Sequence, residues 1–498
     1  MDKNVILNIV KDKTLTYDQK VISLARAAED SLSVLKIDRG IQHYKDLGII
    51  CDMFEGAAPY RPRYIVVDFE KFMKQGSEFL RLPPPKDIWE ATNSLLILYR
   101  HIPSITSFPV YIGNIDTLLE PFVKDEKEAK KAVKLFLISI DRTLTDSFCH
   151  ANIGPKKTKI GKIILKLESE LQNAVPNLTI KYNQETPDDF AIDAIKTALK
   201  VAKPSFANDD MFKGDWGKKY GIVSCYNGLS IGGGSYTLSR INFGKLLSIV
   251  KDKTHLLEKL IPDVVEKMVF YMDERIKFLM EKSNFFQTSF LVSEGLIKQN
   301  RFTAMFGIVG LANCVNSLLK ATKQSDRFGH SKKADDIGIE IVEKLQSELK
   351  NYKNKYLNAT GGHYVLHAQV GLDSDMGISP GCRIPIGDEP ELSEHLPKSA
   401  RFHKYFPSGI GDIFNFDSTV EKNPEYILDI IKGAFKDKMR YFSLYSTNCD
   451  VVRITGYLVK RSDIQKLEKG EQVLHDSVVL GYGAVKNQKV LDRQVRTN

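Results

Sequence analysis

The sequence predicts an α/β fold in which helices surround a mainly parallel sheet, and three observations predict it. From about Gly221 onward, short apolar runs such as "YGIVSCYN" and "SYTLSRINF" alternate with long helical patterns such as "LLEKLIPDVVEKMVFYMDERIKFLMEKS". Strand followed by helix at this spacing builds βα units. The composition, 43% hydrophobic and 27% charged over 498 residues, is that of a globular chain long enough for a deep core. No internal repeat and no low-complexity linker interrupts it.

Residues 1–200 read as mainly helical, with "TYDQKVISLARAAEDSL" and "KDEKEAKKAVKLFLISIDRTL" carrying apolar residues at three- and four-residue spacing. Proline and glycine punctuate the segments between them. Residues 201–422 carry the strand–helix alternation, and residues 423–498 open with the helix "PEYILDIIKGAFKDKM". The apolar stretch Ala304 to Leu319 is broken by Asn313 and Asn316, falls short of a membrane span and is expected to be a buried helix.

Charge excludes some functions. The 71 basic and 62 acidic residues leave a formal net charge of +9, a modest excess for this length. The densest basic stretch, Gly154 to Lys166, lacks interleaved aromatics and reads as a solvated face, so nucleic acid is not an expected partner. The N-terminus scatters lysine and aspartate among its apolar residues and lacks the uninterrupted core of a signal peptide. A cytoplasmic protein without membrane association is expected. Six cysteines lie far apart with no C-x-x-C, which argues against a zinc ribbon or a thioredoxin-like motif.

Four stretches invite chemistry. In "VSCYNGLSIGGGSYTLSRINF", Cys225 ends an apolar run and precedes Asn-Gly and a triple glycine, yet the pattern is neither a P-loop nor G-x-G-x-x-G. His363 and His367 share one side of a helix or strand, but no third ligand stands near them, so no metal site is expected. The polar loop Asp373 to Leu392 holds Cys382, Asp388 and Glu389, and long loops of this kind are often functional. Cys382 ranks below Cys225 because no strand holds it. Arg453-Ile454-Thr455-Gly456-Tyr457, near the C-terminus, is read by default as a turn around a glycine.

The last of these resembles the R-V-x-G-Y signature of glycyl radical enzymes, with Ile454 in place of valine. "GIICDMFEGAAPYRPRYIV", "LLILYRHIPSITSFPVYIGNIDTLLEPF", "SFCHANIGP", "KYGIVSCYNGL", "SNFFQTSFLVSEGLI" and "GCRIPIGDEPEL" are similar to the YjjI-type branch over essentially the whole chain. The resemblance implies a ten-stranded α/β barrel of two five-stranded halves. Residues 1–200 would form its N-terminal part, 201–422 its core with the cysteine loop, and 423–498 a C-terminal glycyl radical domain.

It also implies roles. Gly456 would store a radical, supported by Arg453, Thr455 and Tyr457, and would pass it to Cys225 as a thiyl. No cofactor would be bound permanently. An S-adenosylmethionine-dependent iron–sulfur activating enzyme would be the partner, and a homodimer is a candidate assembly. Cys225 lies between Ser224 and Tyr226, unlike the paired cysteines of formate-lyase-type acyltransferases, and Asn227 stands where diol dehydratases carry glutamate. The likeness of the family to ribonucleotide reductases, with polar candidates such as Asn227, His367, Asp388 and Glu389, implies a small, hydroxylated substrate, sugar-like or nucleoside-like, held by hydrogen bonds. The competing readings are a non-catalytic barrel, with Gly456 a turn and Cys225 a core thiol, and a formate-acetyltransferase-like acyl lyase.

Overall fold

Fifteen strands appear in the computed structural model, which describes residues 3–53, 55–368, 375–487 and 490–497. They are β1 (Ile50–Cys51), β2 (Tyr64–Val66), β3 (His150–Ile153), β4 (Asn177–Tyr182), β5 (Ser205–Asn208), β6 (Tyr220–Val223), β7 (Asn227–Ser230), β8 (Gly233–Asn242), β9 (Phe302–Val309) and β10 (Val365–Ala368). β11 (Asp412–Phe416), β12 (Tyr441–Ser446), β13 (Val451–Arg453), β14 (Leu458–Lys460) and β15 (Val495–Arg496) follow.

Ten segments close a barrel in two halves of five. In the first half β3, β4 and β5 run parallel. The segment 110–114 joins their edge, with Ile112 N donating to His150 O at 2.9 Å and Asn152 N to Gly113 O at 2.9 Å. β2, which pairs with β8, is the fifth segment counted with this half. In the second half β8, β9 and β10 are parallel, as are β11 and β12. Ala368 N donates to Gly409 O at 2.9 Å and so links β10 to the approach of β11. The halves meet antiparallel on both sides, β5 against β12 and β2 against β8.

Parallel neighbours need crossovers, and helices supply them. Lys159–Leu171 links β3 to β4; Thr158 caps its N-terminus by accepting from Gly161 N, and Ile160, Ile164, Leu165 and Leu167 are buried. Asp188–Val201 links β4 to β5 and buries Phe190, Ala191, Ala194, Ile195 and Ala198. The 21-residue helix Ile261–Glu281 lies between β8 and β9. All ten residues of β8 and all eight of β9 are buried, because helices cover one face of the barrel wall and packed side chains fill the other.

Two expectations from the sequence change here. The βα alternation begins at β3, well before Gly221. The stretch 304–319 is not one helix: it finishes strand β9, turns at Gly310 with φ 79°, and continues as the helix Leu311–Ala321. A short apolar run carries no period that separates buried strand from buried helix, and the glycine between them marks the break.

Two hairpins lie off the barrel wall. β6 and β7 pair antiparallel with Val223 opposite Asn227. β13 and β14 pair antiparallel with Arg453 opposite Leu458.

Candidate active site

At the tip of the β6–β7 hairpin stand Ser224, Cys225 and Tyr226, the sharp turn being taken by Ser224 with φ 58°. Both half-barrels hold this tip. Asn152 on β3 donates from Nδ2 to Ile222 O and accepts at Oδ1 from Ile222 N, each at 2.8 Å. Ser224 N donates to Val110 O at 2.8 Å, and from the other half Gly228 N donates to Ser408 O at 3.0 Å. The Tyr441 hydroxyl on β12 donates to Cys225 O at 3.0 Å.

His150 on β3 is fully buried, and burial pushes its imidazole down to about 3, so the ring is neutral at ordinary pH. Its Nδ1 lies 2.9 Å from Ser224 O, which fixes the proton on that nitrogen, because a carbonyl can only accept. Nε2 is 2.7 Å from Thr179 Oγ1.

Cys225 is 4% exposed, and its thiol points to Asn227 Oδ1 at 3.4 Å. Burial pushes this thiol up to about 11, so it keeps its hydrogen at neutral pH. The Nδ2 of Asn227 is buried with no partner among the described residues.

The β13–β14 hairpin brings Gly456 against that cysteine. A Cβ placed on Gly456 would overlap the Cβ of Cys225 and lie 2.8 Å from its Sγ. Gly456 does not adopt a left-handed φ, so the turn itself leaves room for other residues. What demands glycine is the close approach of its Cα to the thiol side chain.

Asn177, the first residue of β4, spans the two loops. Its Nδ2 donates to Gly456 O at 2.8 Å and to Ser224 O at 3.3 Å. Its Oδ1 accepts from Arg453 Nη2 at 3.1 Å and from Leu178 N at 2.9 Å, so every hydrogen-bonding position of the amide is used. Arg453 Nε donates to Ala202 O at 2.9 Å. Ile454 N donates to Tyr457 O at 3.1 Å and closes the loop. The Tyr457 ring lies 5.1 Å from that of Phe148 and packs on Gly481, whereas Thr455 Oγ1 is buried without a partner among the described residues.

Other residues singled out in the sequence fall in different places. His367 on β10 stacks on Tyr226 with ring centroids 5.7 Å apart, and the Tyr226 hydroxyl donates to Ala368 O at 2.7 Å. His363 lies outside that strand. Asp388 and Glu389 are not brought to the thiol. Asp388 accepts from Arg327 Nη1 at 2.7 Å, and Glu389 Oε2 accepts from Gly387 N at 2.7 Å, both near the surface. Cys314 is buried in the helix Leu311–Ala321, and Cys382 is buried in the loop beside Arg383. Residues 373 and 374 of that loop lie outside the described residues.

Sequence reasoning missed Asn177, His150, Tyr441 and Arg383. No local pattern marks them: His150, Asn177 and Tyr441 are single polar residues in strands, Arg383 lies in a loop, and each bonds to a partner at least 28 positions away.

A barrel that encloses a hairpin-tip cysteine against the backbone of a glycine is the architecture of glycyl radical enzymes. The chain matches the family described as "Glycyl radical enzyme YjjI-like" over residues 15–496, and it belongs to that family. It is 46% identical over 498 residues to an uncharacterized protein of Haemophilus influenzae, covering 99% of this chain and 97% of that one. To YjjI of Escherichia coli it is 40% identical over 492 residues, covering 98% and 95%.

Among solved structures, an anaerobic ribonucleotide reductase superposes with a TM-score of 0.70 at 12% identity, covering 99% of this chain and 88% of that one. The hydroxyproline dehydratase of Clostridioides difficile, with trans-4-hydroxy-L-proline bound, gives 0.70 at 12% identity, covering 100% and 89%. The B12-independent glycerol dehydratase of Clostridium butyricum gives 0.61 at 14% identity, covering 78% and 67%. At such identities the likeness concerns the fold.

Proposed function

We propose that the protein stores a radical on the Cα of Gly456 and passes it to Cys225, whose thiyl abstracts hydrogen from a small, hydroxylated substrate. The observation that carries this reading is the contact of Gly456 with the Cys225 side chain, which forbids a Cβ at 456. A core thiol beside an ordinary turn would not need that contact.

The steps balance as hydrogen-atom transfers. The Gly456 Cα radical takes the hydrogen of the Cys225 thiol, restoring Cα–H and leaving a thiyl. The thiyl takes a hydrogen atom from a substrate C–H and becomes a thiol again, and the substrate carries the unpaired electron until the product radical recovers the hydrogen. The steps that charge the thiyl and return hydrogen to the product radical break an S–H bond and cannot run from a thiolate, and the raised thiol meets that need. Gly456 suits storage because a Cα without a side chain can flatten, so the electron spreads over both flanking amides. Arg453 acts through Asn177 to hold the Gly456 carbonyl, while Thr455 and Tyr457 shape the loop.

Acyl transfer through paired cysteines is not favoured, because Cys225 has Ser224 and Tyr226 as neighbours. The hydroxylated substrate class rests on the unpartnered Asn227 amide nitrogen and on His367 over Tyr226. It is also in keeping with neighbours whose names specify hydroxyproline and glycerol. The chain needs an activating partner that uses S-adenosylmethionine and an iron–sulfur cluster to remove the first hydrogen from Gly456. Residues 423–498 are the radical-bearing module of this scheme and the preceding residues its barrel. An oxygen-sensitive radical and six free cysteines suit an anaerobic, reducing cytoplasm. Among the described residues no helix is long and apolar enough to cross a membrane.

The test is electron paramagnetic resonance after anaerobic activation, which should give a glycine-centred doublet. On admitting air, dioxygen adds to the carbon radical and the chain breaks there. Mass spectrometry should find a large fragment ending near Thr455 and a small C-terminal one. An intact chain after air exposure of a spin-bearing sample contradicts the assignment.

A further inference from the structure

We infer that Arg383 receives a carboxylate of the substrate, so that the molecule taken by this site is a small hydroxycarboxylate rather than a neutral polyol. The inference depends on the proposed function only for where the substrate lies, beside Cys225.

Arg383 is 7% exposed, and its Nε donates to Gly411 O at 2.7 Å. Both terminal nitrogens are buried with no partner among the described residues. Three other buried arginines are matched by carboxylates, Arg63 by Glu55 at 3.0 Å, Arg240 by Asp375 at 2.7 Å and Arg275 by Glu55 at 3.1 Å, and Arg453 has its terminal nitrogen on Asn177 Oδ1 at 3.1 Å. The carboxylate of Asp412 feels the charge of Arg383 but is engaged by His395 Nε2 at 2.8 Å and by Ser399 Oγ at 2.9 Å. An uncompensated buried guanidinium is expensive, and a fold keeps one where a partner arrives from outside.

Its position ties it to the thiol. The guanidinium carbon lies 5.6 Å from the centroid of the Tyr226 ring, the residue that follows Cys225, and its charge acts on the thiol. His367 stacks on the same ring. A planar fork of two free N–H groups matches the two oxygens of a carboxylate, and a single positive charge suits a monoanion. The free Nδ2 of Asn227, two residues from the thiol, supplies a donor for a hydroxyl oxygen of the same molecule.

Thermal melting of the full-length, unactivated protein tests this without any radical. At constant ionic strength, acetate and glycerate should raise the melting temperature with dose, while acetamide and glycerol should not. Arg383→Gln should weaken the acetate effect at least tenfold, and Arg383→Lys should keep part of it, because it retains the charge without the fork. Arg327→Gln, at the exposed Asp388 pair, should respond like the natural protein and so controls for general salt effects. An equal acetate shift in Arg383→Gln, no acetate shift in the natural protein, or a shift with inorganic phosphate but not acetate overturns the inference. Melting of Arg383→Gln without ligand shows whether the variant is folded. A missing spin signal in activated natural protein would sink the radical reading while leaving the acetate result intact. A normal doublet without an Arg383-dependent acetate effect would sink the carboxylate alone.

Discussion

The β6–β7 hairpin and the β13–β14 hairpin bring Cys225 and Gly456 together, yet they are anchored in different ways. The cysteine hairpin bonds to Val110 and Asn152 in the first half-barrel and to Ser408 and Tyr441 in the second. The glycine hairpin bonds to the barrel through Ser147, Asn177 and the Ala202 carbonyl. Its apolar residues pack largely with their own C-terminal segment: Val451, Val452, Ile454 and Leu458 cluster with Ile464, Val473, Val478 and Val490. One loop is thus tied to both half-barrels, and the other packs mainly with the C-terminal segment that follows it. Gly456 and its neighbours are buried, so on the proposed function an activating enzyme would reach that Cα only if the C-terminal segment moved. On the proposed function, a hydrogen could then be removed from 456 while the bonds that hold Cys225 stay in place.

Substitution at the two residues proposed to react should give the largest effect. Gly456→Ala should abolish both the doublet and turnover, because the added methyl collides with Cys225 and keeps the radical centre from flattening. Cys225→Ala should retain the doublet yet leave turnover undetectable. Loss of the doublet in Cys225→Ala would mean that the two loops are not separable in function.

An intermediate effect is expected at the shared bond. Asn177→Ala removes donors from two buried carbonyls and should cost about 1–3 kcal/mol of stability in denaturant unfolding. Turnover should fall by roughly a hundredfold, as for a misplacement of about 1 Å, with the doublet still formed on activation. Normal turnover in this variant would show that the barrel aligns the loops without it.

The smallest effect concerns the thiol and pH. Its folded value of about 11 exceeds the ordinary value of 9.0, so the unfolded chain loses this proton first as pH rises. Below 9.0 the group does not favour either state differently with pH; between 9.0 and about 11 its contribution to stability is lost. Relative to Cys225→Ala, the natural protein should lose about 2–3 kcal/mol across that window. Equal alkaline unfolding curves would show that the thiol is less shielded than its burial implies.

Legibility in the sequence followed the locality of each signal. Gly456 and Cys225 were readable because the glycine lies in a five-residue pattern and the cysteine ends a strand-like run before a glycine-rich stretch. β3 and β4 were not recognised as strands within the helical N-terminal reading. His150, Asn152 and Asn177 place polar groups inside them, which is what a wall facing a reaction site requires and what a pattern of apolar strands excludes. Arg383 was passed over although its loop was noted, since a solvated and a buried arginine look alike in sequence. Asp388 and Glu389 in the same loop drew attention by their charge, which serves Arg327 and the local backbone.

The amide of Asn177 has one further consequence. Because the same nitrogen holds the carbonyls of both loops, one side chain gauges the gap that a hydrogen atom would cross between Gly456 and Cys225 in the proposed transfer. Hydrogen transfer over such gaps falls steeply with distance, so on that proposal charging the thiol and returning the electron to the glycine would share a single ruler. A thermal excursion that slowed one would slow the other to the same degree, and the balance between the proposed stored and working radicals would be left to their chemistry alone.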